Sequence, residues 1–96
     1  MKMVFIVYSQ AADYDVIAAI KQAGVKGYTK MENASGEGVE TEPKLHTHIW
    51  PSENCVLFLA LEEDELPAIV DLIRELKLDH PRAGVKAFIM PMEEII

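Results

Sequence analysis

The sequence predicts an α+β domain in which two strand–helix–strand units are joined by one long connection. Three observations carry this. Two unbroken apolar runs, 3–8 (MVFIVY) and 55–61 (CVLFLAL), have strand composition without polar alternation. Each is followed by a stretch in which apolar residues recur at helical spacing. Between the two halves, residues 33–54 keep no period and are broken by Gly36, Gly38, Pro43 and Pro51.

In chain order, the run 3–8 reads as a central strand, buried on both faces or on one face by another subunit. Over 11–23 the period changes: Val16, Ala19, Ile20 and Ala23 fall at i, i+3, i+4, i+7, with Asp13 as N-cap and Gly24 in the C′ position. Residues 25–32 (VKGYTKME) alternate and suit a half-exposed strand. At about twenty residues, the connection 33–54 is long for a compact domain, and loops of that length are commonly functional or disordered. Its later part, 45–50 (LHTHIW), has the composition of a ribbon extending from the body. After the strand 55–61, the acids Glu62–Glu65 suit a helix start. Leu66, Ile69, Val70, Ile73 and Leu76 form the second amphipathic series, with Pro67 tolerated in its first turn. The stretch 79–84 (DHPRAG) breaks the chain before a last strand at 85–90 (VKAFIM).

The order is therefore β–α–β–loop–β–α–β. Right-handed crossovers make of it a ferredoxin-like βαββαβ domain, a four-stranded antiparallel sheet with both helices on one face. Residues 1–96 form a single domain of this kind. The other sheet face is then bare and apolar, which predicts a homo-oligomer with the sheets packed inward.

Composition narrows the function. Sixteen acids against nine bases give a formal charge of −7, and no basic run is present. That excludes duplex nucleic acid and anionic membrane surfaces as primary partners. Cys55 is the only cysteine, so an intrachain disulfide is impossible. The N-terminal apolar run is too short to span a bilayer and lacks a cleavage site, which predicts a cytoplasmic protein.

Two stretches carry candidate chemistry. His46 and His48, one residue apart, point the same way in an extended segment, about 6.6 Å apart. They suit one divalent ion such as zinc or copper, with Glu40, Glu42 or His80 completing the set; the alternative is two polar loop residues. Trp50-Pro51 is expected to pin the loop's return to the body; the alternative is an exposed tryptophan that anchors a partner. His80, Arg82, Gly84 and Lys86 cluster before the last strand. Two fixed cations, a histidine and a glycine that admits close backbone approach suit an anion such as phosphate. The alternative is cations that offset a helix dipole. Cys55 opens an apolar strand and is expected to pack as a small hydrophobe. No Ser–His–Asp order, Walker-type loop or catalytic carboxylate pair is found.

The element order, the long loop between the second and third strands, and two local stretches resemble the PII-like signalling superfamily, with CutA-type trimers nearby. His46-Thr47-His48-Ile49-Trp50-Pro51 followed by Asn54 resembles the THxWP…N stretch of its divergent, metal-efflux-associated branch. The segment from Gly84 to Phe88, ending at Pro91, is similar to that branch too. HPRAGVK stands where classical members carry TGxxGDGK, and 35–50 contains no tyrosine.

The resemblance implies a homotrimer with an adenine nucleotide in the cleft between subunits, Gly84 and Lys86 belonging to the phosphate-holding loop. It also implies that residues 35–50, the T-loop of this family, contact a target such as a membrane transporter. The expected function is thus non-enzymatic regulation by a small effector, nucleotide or metal. The alternatives are a CutA-type divalent-metal trimer, with His46 and His48 as ligands, and a small αβ-barrel enzyme.

Overall fold

A computed structural model describes residues 1–36 and 53–96. Strand β1 (Lys2–Ser9) leads through a short 3-10 turn (Gln10–Ala12) into helix α1 (Asp13–Gln22) and strand β2 (Thr29–Ala34). Strand β3 (Asn54–Leu61), helix α2 (Leu66–Asp79) and strand β4 (Lys86–Pro91) repeat the unit. The strands form one antiparallel sheet in the order β2-β3-β1-β4, the ferredoxin-like arrangement expected from the element order.

The pleat sorts side chains onto two faces. Val4, Ile6 and Tyr8 of β1 and Cys55, Leu57, Leu59 and Leu61 of β3 face the helices, where they meet Val16 and Ile20 of α1 and Ile69, Ile73 and Leu76 of α2. Each large aliphatic side chain fully buried in this layer contributes about 1.5–3 kcal/mol. The alternate residues line the opposite face. Phe5 pairs in register with both Phe58 and Phe88, and the Phe5 and Phe58 rings stack at 4.3 Å and 4°. Phe88 is 52% exposed and Met31 48%, so this face is apolar and uncovered in the single chain.

Three local expectations shift. Asp13 is not the N-cap of α1: Ala12 holds that position without a side-chain cap bond, because the Asp13 carboxylate is turned to partners on β1 and β2. Residues 25–28 are not strand. Val25 is buried, its N–H donating to the Ile20 carbonyl (3.1 Å) as the chain leaves the helix, and pairing begins at Thr29. The pairing of β2 with β3 also shifts between Met31 and Ala34, where Asn33 has φ 60; asparagine tolerates that left-handed backbone well. The acids 62–65 precede α2 rather than occupying its first turn. Glu65 is the N-cap, and its carboxylate accepts the Glu62 N–H at 2.8 Å. Gly24, at φ 94, is the C′ residue expected after α1.

Candidate functional site

The segment between α2 and β4 is built by local rules. After Asp79 the backbone leaves helical geometry at His80 (φ −129, ψ 64), whose N–H still donates to the Leu76 carbonyl. Pro81 has no N–H to continue the helix. The Ala83 N–H donates to the His80 carbonyl at 3.0 Å, closing a tight turn, and Gly84 takes φ 65, which glycine adopts without penalty. The Lys77 ammonium donates to the Val85 carbonyl at 2.7 Å and ties the helix to the segment that follows.

Of the four residues proposed to hold an anion, His80 is half-buried, with Nε2 3.5 Å from Asp15 Oδ2 of α1. Arg82 is exposed, Gly84 half-buried, and Lys86 begins β4 half-buried. All four lie within the short stretch that runs from the C-terminal end of α2 into β4, and of them His80 meets the first turn of α1. His46 and His48, with Glu40, Glu42, Trp50 and Pro51, lie outside the described residues. Among the described residues no group of three or more histidine, cysteine or acidic side chains is placed to hold a metal ion.

The end of β1 joins this stretch to the long connection. The Ser9 N–H donates to the Ala83 carbonyl at 2.7 Å, and the next residue, Gln10, donates its N–H to the Glu53 carbonyl at 2.7 Å. Two successive amides thus hold the anion-loop candidate and the residue where the connection rejoins the sheet. Ala34 and Asn54 are register partners, and a Cβ added to Gly36 would lie 3.3 Å from the Asn54 amide nitrogen. Both ends of the connection therefore meet beside Ser9, itself the register partner of Asn54.

A polar network at this end of the sheet was not apparent in the sequence. The buried Tyr8 hydroxyl donates to Asp13 Oδ1 at 2.6 Å, and the Lys30 ammonium donates to Asp13 Oδ2 at 2.9 Å. Lys30 Nζ is also 3.4 Å from Glu32 Oε1. Burial pushes the Tyr8 phenol far above its ordinary value, helped by the bond to Asp13 and its charge. For Asp13, burial acts to raise the pKa, but the hydrogen bonds from Tyr8 and Lys30 prevail and hold it below the usual carboxylate value. The bond to Asp13 raises Lys30. Burial, with the charge of Asp13, raises the Cys55 thiol opposite Tyr8. A thiol held protonated is a poor nucleophile, so Cys55 packs as the expected small hydrophobe. The signal available beforehand was slight: a tyrosine ending an apolar strand and an acid opening a helix.

The sequence profile described as nitrogen regulatory protein P-II matches residues 1–96. A comparison with curated proteins finds no match. Among solved structures, the chain is similar to CPII from Thiomonas intermedia K12 bound to ADP and bicarbonate, with TM-score 0.72 and 20% identity, covering 93% of this chain and 82% of that one. CPII from the same organism bound to ADP, AMP and bicarbonate gives TM-score 0.74, 20% identity and the same coverage. A protein from Thermus thermophilus described as PII-like and signaling gives TM-score 0.64 and 24% identity over 93% of this chain and 83% of that one. At these identities the structures establish a shared fold, and the profile, which spans the whole chain, establishes the family: the chain belongs to the nitrogen regulatory protein P-II family.

Proposed function

We propose that this chain is a non-enzymatic regulator, a cytoplasmic homotrimer that takes an adenine nucleotide between subunits and acts on a partner through residues 35–50. The observation that carries the reading is the pair of successive amides at Ser9 and Gln10, one bonded to Ala83 and the other to Glu53. A phosphate held by His80, Arg82, Gly84 and Lys86 would reorganise the first of these bonds. The second lies at the foot of the long connection, so effector occupancy has a short covalent route to the partner-facing segment. The partner class that suits this role is a membrane transporter. The ADP- and AMP-bound CPII structures support the choice of ligand class, and the bare face bearing Phe5, Phe58 and Phe88 supports the oligomer.

Calorimetric titration of the full chain with ADP, AMP and ATP tests the effector. Saturable binding of at least one, weakened about tenfold or more by Arg82→Ala, is expected, since a charge-assisted contact to phosphate contributes about 1.5–3 kcal/mol. Absence of heat with all three nucleotides overturns the nucleotide reading.

A further inference from the structure

Among the basic side chains proposed to hold the effector's phosphate, Arg82 and Lys86 have no ion pair among the described residues. His80 differs: its Nε2 lies 3.5 Å from Oδ2 of Asp15, in the first turn of α1. Both sides of this contact are held in place. On α1, Asp13 accepts from the Tyr8 hydroxyl at 2.6 Å and from the Lys30 ammonium at 2.9 Å, which fixes the turn that presents Asp15. On the loop, the His80 N–H donates to the Leu76 carbonyl at 2.9 Å, and its carbonyl accepts the Ala83 N–H at 3.0 Å. The side chains themselves stay accessible, His80 at 27% and Asp15 at 58%, so a dissolved anion can reach the pair. A carboxylate that orients an imidazole does so through a hydrogen bond. None is formed here, and the contact is electrostatic and easily broken.

We propose that Asp15 is a built-in competitor of the effector's phosphate for His80, and so sets the affinity of the loop for its anion. The inference rests on the assignment of His80, Arg82, Gly84 and Lys86 to the effector and adds the group that opposes binding there. A carboxylate and a phosphate oxygen seek the same N–H, or the same positive charge, from an imidazole. Nε2 is the nitrogen at the tip of the ring, the one a ligand meets first, and Asp15 already faces it. A phosphate that takes Nε2 must displace the carboxylate and then lie near its charge, which repels it. Binding therefore releases Asp15, and the first turn of α1 loses its tie to the loop.

The test is calorimetric titration of the full chain with ADP and, separately, with inorganic pyrophosphate. Wild type, Asp15→Asn, His80→Gln and the double variant are compared. Asp15→Asn removes the charge at nearly constant shape from an exposed position, and a thermal melt of each variant checks that the fold is kept. Asp15→Asn is expected to tighten both ligands about two- to fivefold, the range that an exposed ion pair allows. In the His80→Gln background the gain should fall to less than half, as for two residues that act on each other. Nitrogen-15 NMR of the imidazole should show the His80 ring signals moving on Asp15→Asn before any ligand is added. Unchanged affinity overturns the proposal and leaves Asp15 as a partner of the helix dipole alone. Weakened affinity overturns it by making Asp15 a support for His80, and an equal gain with and without His80 overturns it by making the effect one of net charge. The two readings fail separately. Pyrophosphate tightened by Asp15→Asn with no binding of ADP removes the nucleotide and keeps the competitor. ADP bound with indifference to Asp15→Asn does the reverse, and no binding of either anion to any variant overturns both.

Discussion

The Tyr8 hydroxyl donates to Asp13 Oδ1 at 2.6 Å from a side chain with no exposed surface. Among the described residues no buried side-chain nitrogen or oxygen lacks a partner, and for the Tyr8 phenol that partner is Asp13. Asp13→Ala strands the phenol in the core, at a cost of about 1–3 kcal/mol, whereas Tyr8→Phe removes the need for an acceptor and costs about 1 kcal/mol. The double variant should be less destabilised than the sum of the singles. Urea denaturation measures all three, and an unchanged midpoint for Asp13→Ala would show that the bond contributes nothing.

The same network sets the pH dependence of stability. The folded-state pKa of Asp13 lies below its ordinary 3.8. Its contribution is therefore complete above that value and is lost as pH falls from about 4 through the lower folded value. Tyr8 and Lys30 are both raised, from 10.0 and 10.5. Their contributions are complete below those values and are lost as pH rises beyond about 10, where the unfolded chain gives up its protons first. Melting temperatures of wild type and Asp13→Asn should therefore converge as the pH drops below about 4. A gap that widens there would reverse the sign argued for Asp13.

How much of this was legible in the sequence follows from the range of each signal. The periods of 16–23 and 66–76 and the runs 3–8 and 55–61 are local, and they were enough for element order and topology. The loop of His80, Arg82, Gly84 and Lys86 was visible because its residues are close together in the chain. Tyr8, Asp13 and Lys30 come together only through a crossover and an edge strand, so each looked ordinary alone: a strand residue, a cap and an exposed lysine. Asp13 left the cap role because two donors outside the helix bind it better than one backbone amide would.

The bare sheet face gives a prediction about assembly. Phe5, Phe58 and Phe88 lie in one row across β3, β1 and β4, an apolar patch of the kind that marks an interface. A carboxylate at the Phe58 position would have to be buried unpaired if another chain covers that row, at a cost of several kcal/mol. Sedimentation velocity should show wild type near three times the 10.8 kDa of one chain, and Phe58→Asp as a folded single chain. A monomeric wild type would remove the trimer.

The two glycines at positive φ separate folding from function. Gly24 (φ 94) and Gly84 (φ 65) each hold a backbone conformation that costs an alanine about 1–2 kcal/mol. Around Gly24 an added Cβ meets nothing within 4 Å, so Gly24→Ala should lower stability by that amount and leave nucleotide affinity alone. Gly84→Ala should lower both, because it also alters the turn that presents Arg82. Equal nucleotide affinity in the two variants would remove Gly84 from the effector site.

If effector occupancy is transmitted through the end of β1, the relay must pass the two amides at Ser9 and Gln10. Each is hydrogen-bonded at 2.7 Å to a carbonyl on a different segment, Ala83 and Glu53, so its exchange with solvent reports the opening of that contact alone. A nucleotide that fixes the 80–84 loop should slow exchange at Ser9 directly and at Gln10 by transmission. The amides around Lys30, on the strand beyond β3, should be indifferent. Native-state hydrogen exchange with and without ADP, read by NMR, distinguishes the cases. Protection gained at Ser9 but not at Gln10 would mean that the loop binds its ligand without speaking to the long connection. Protection gained at both, and abolished by Arg82→Ala, is the outcome expected of a regulator.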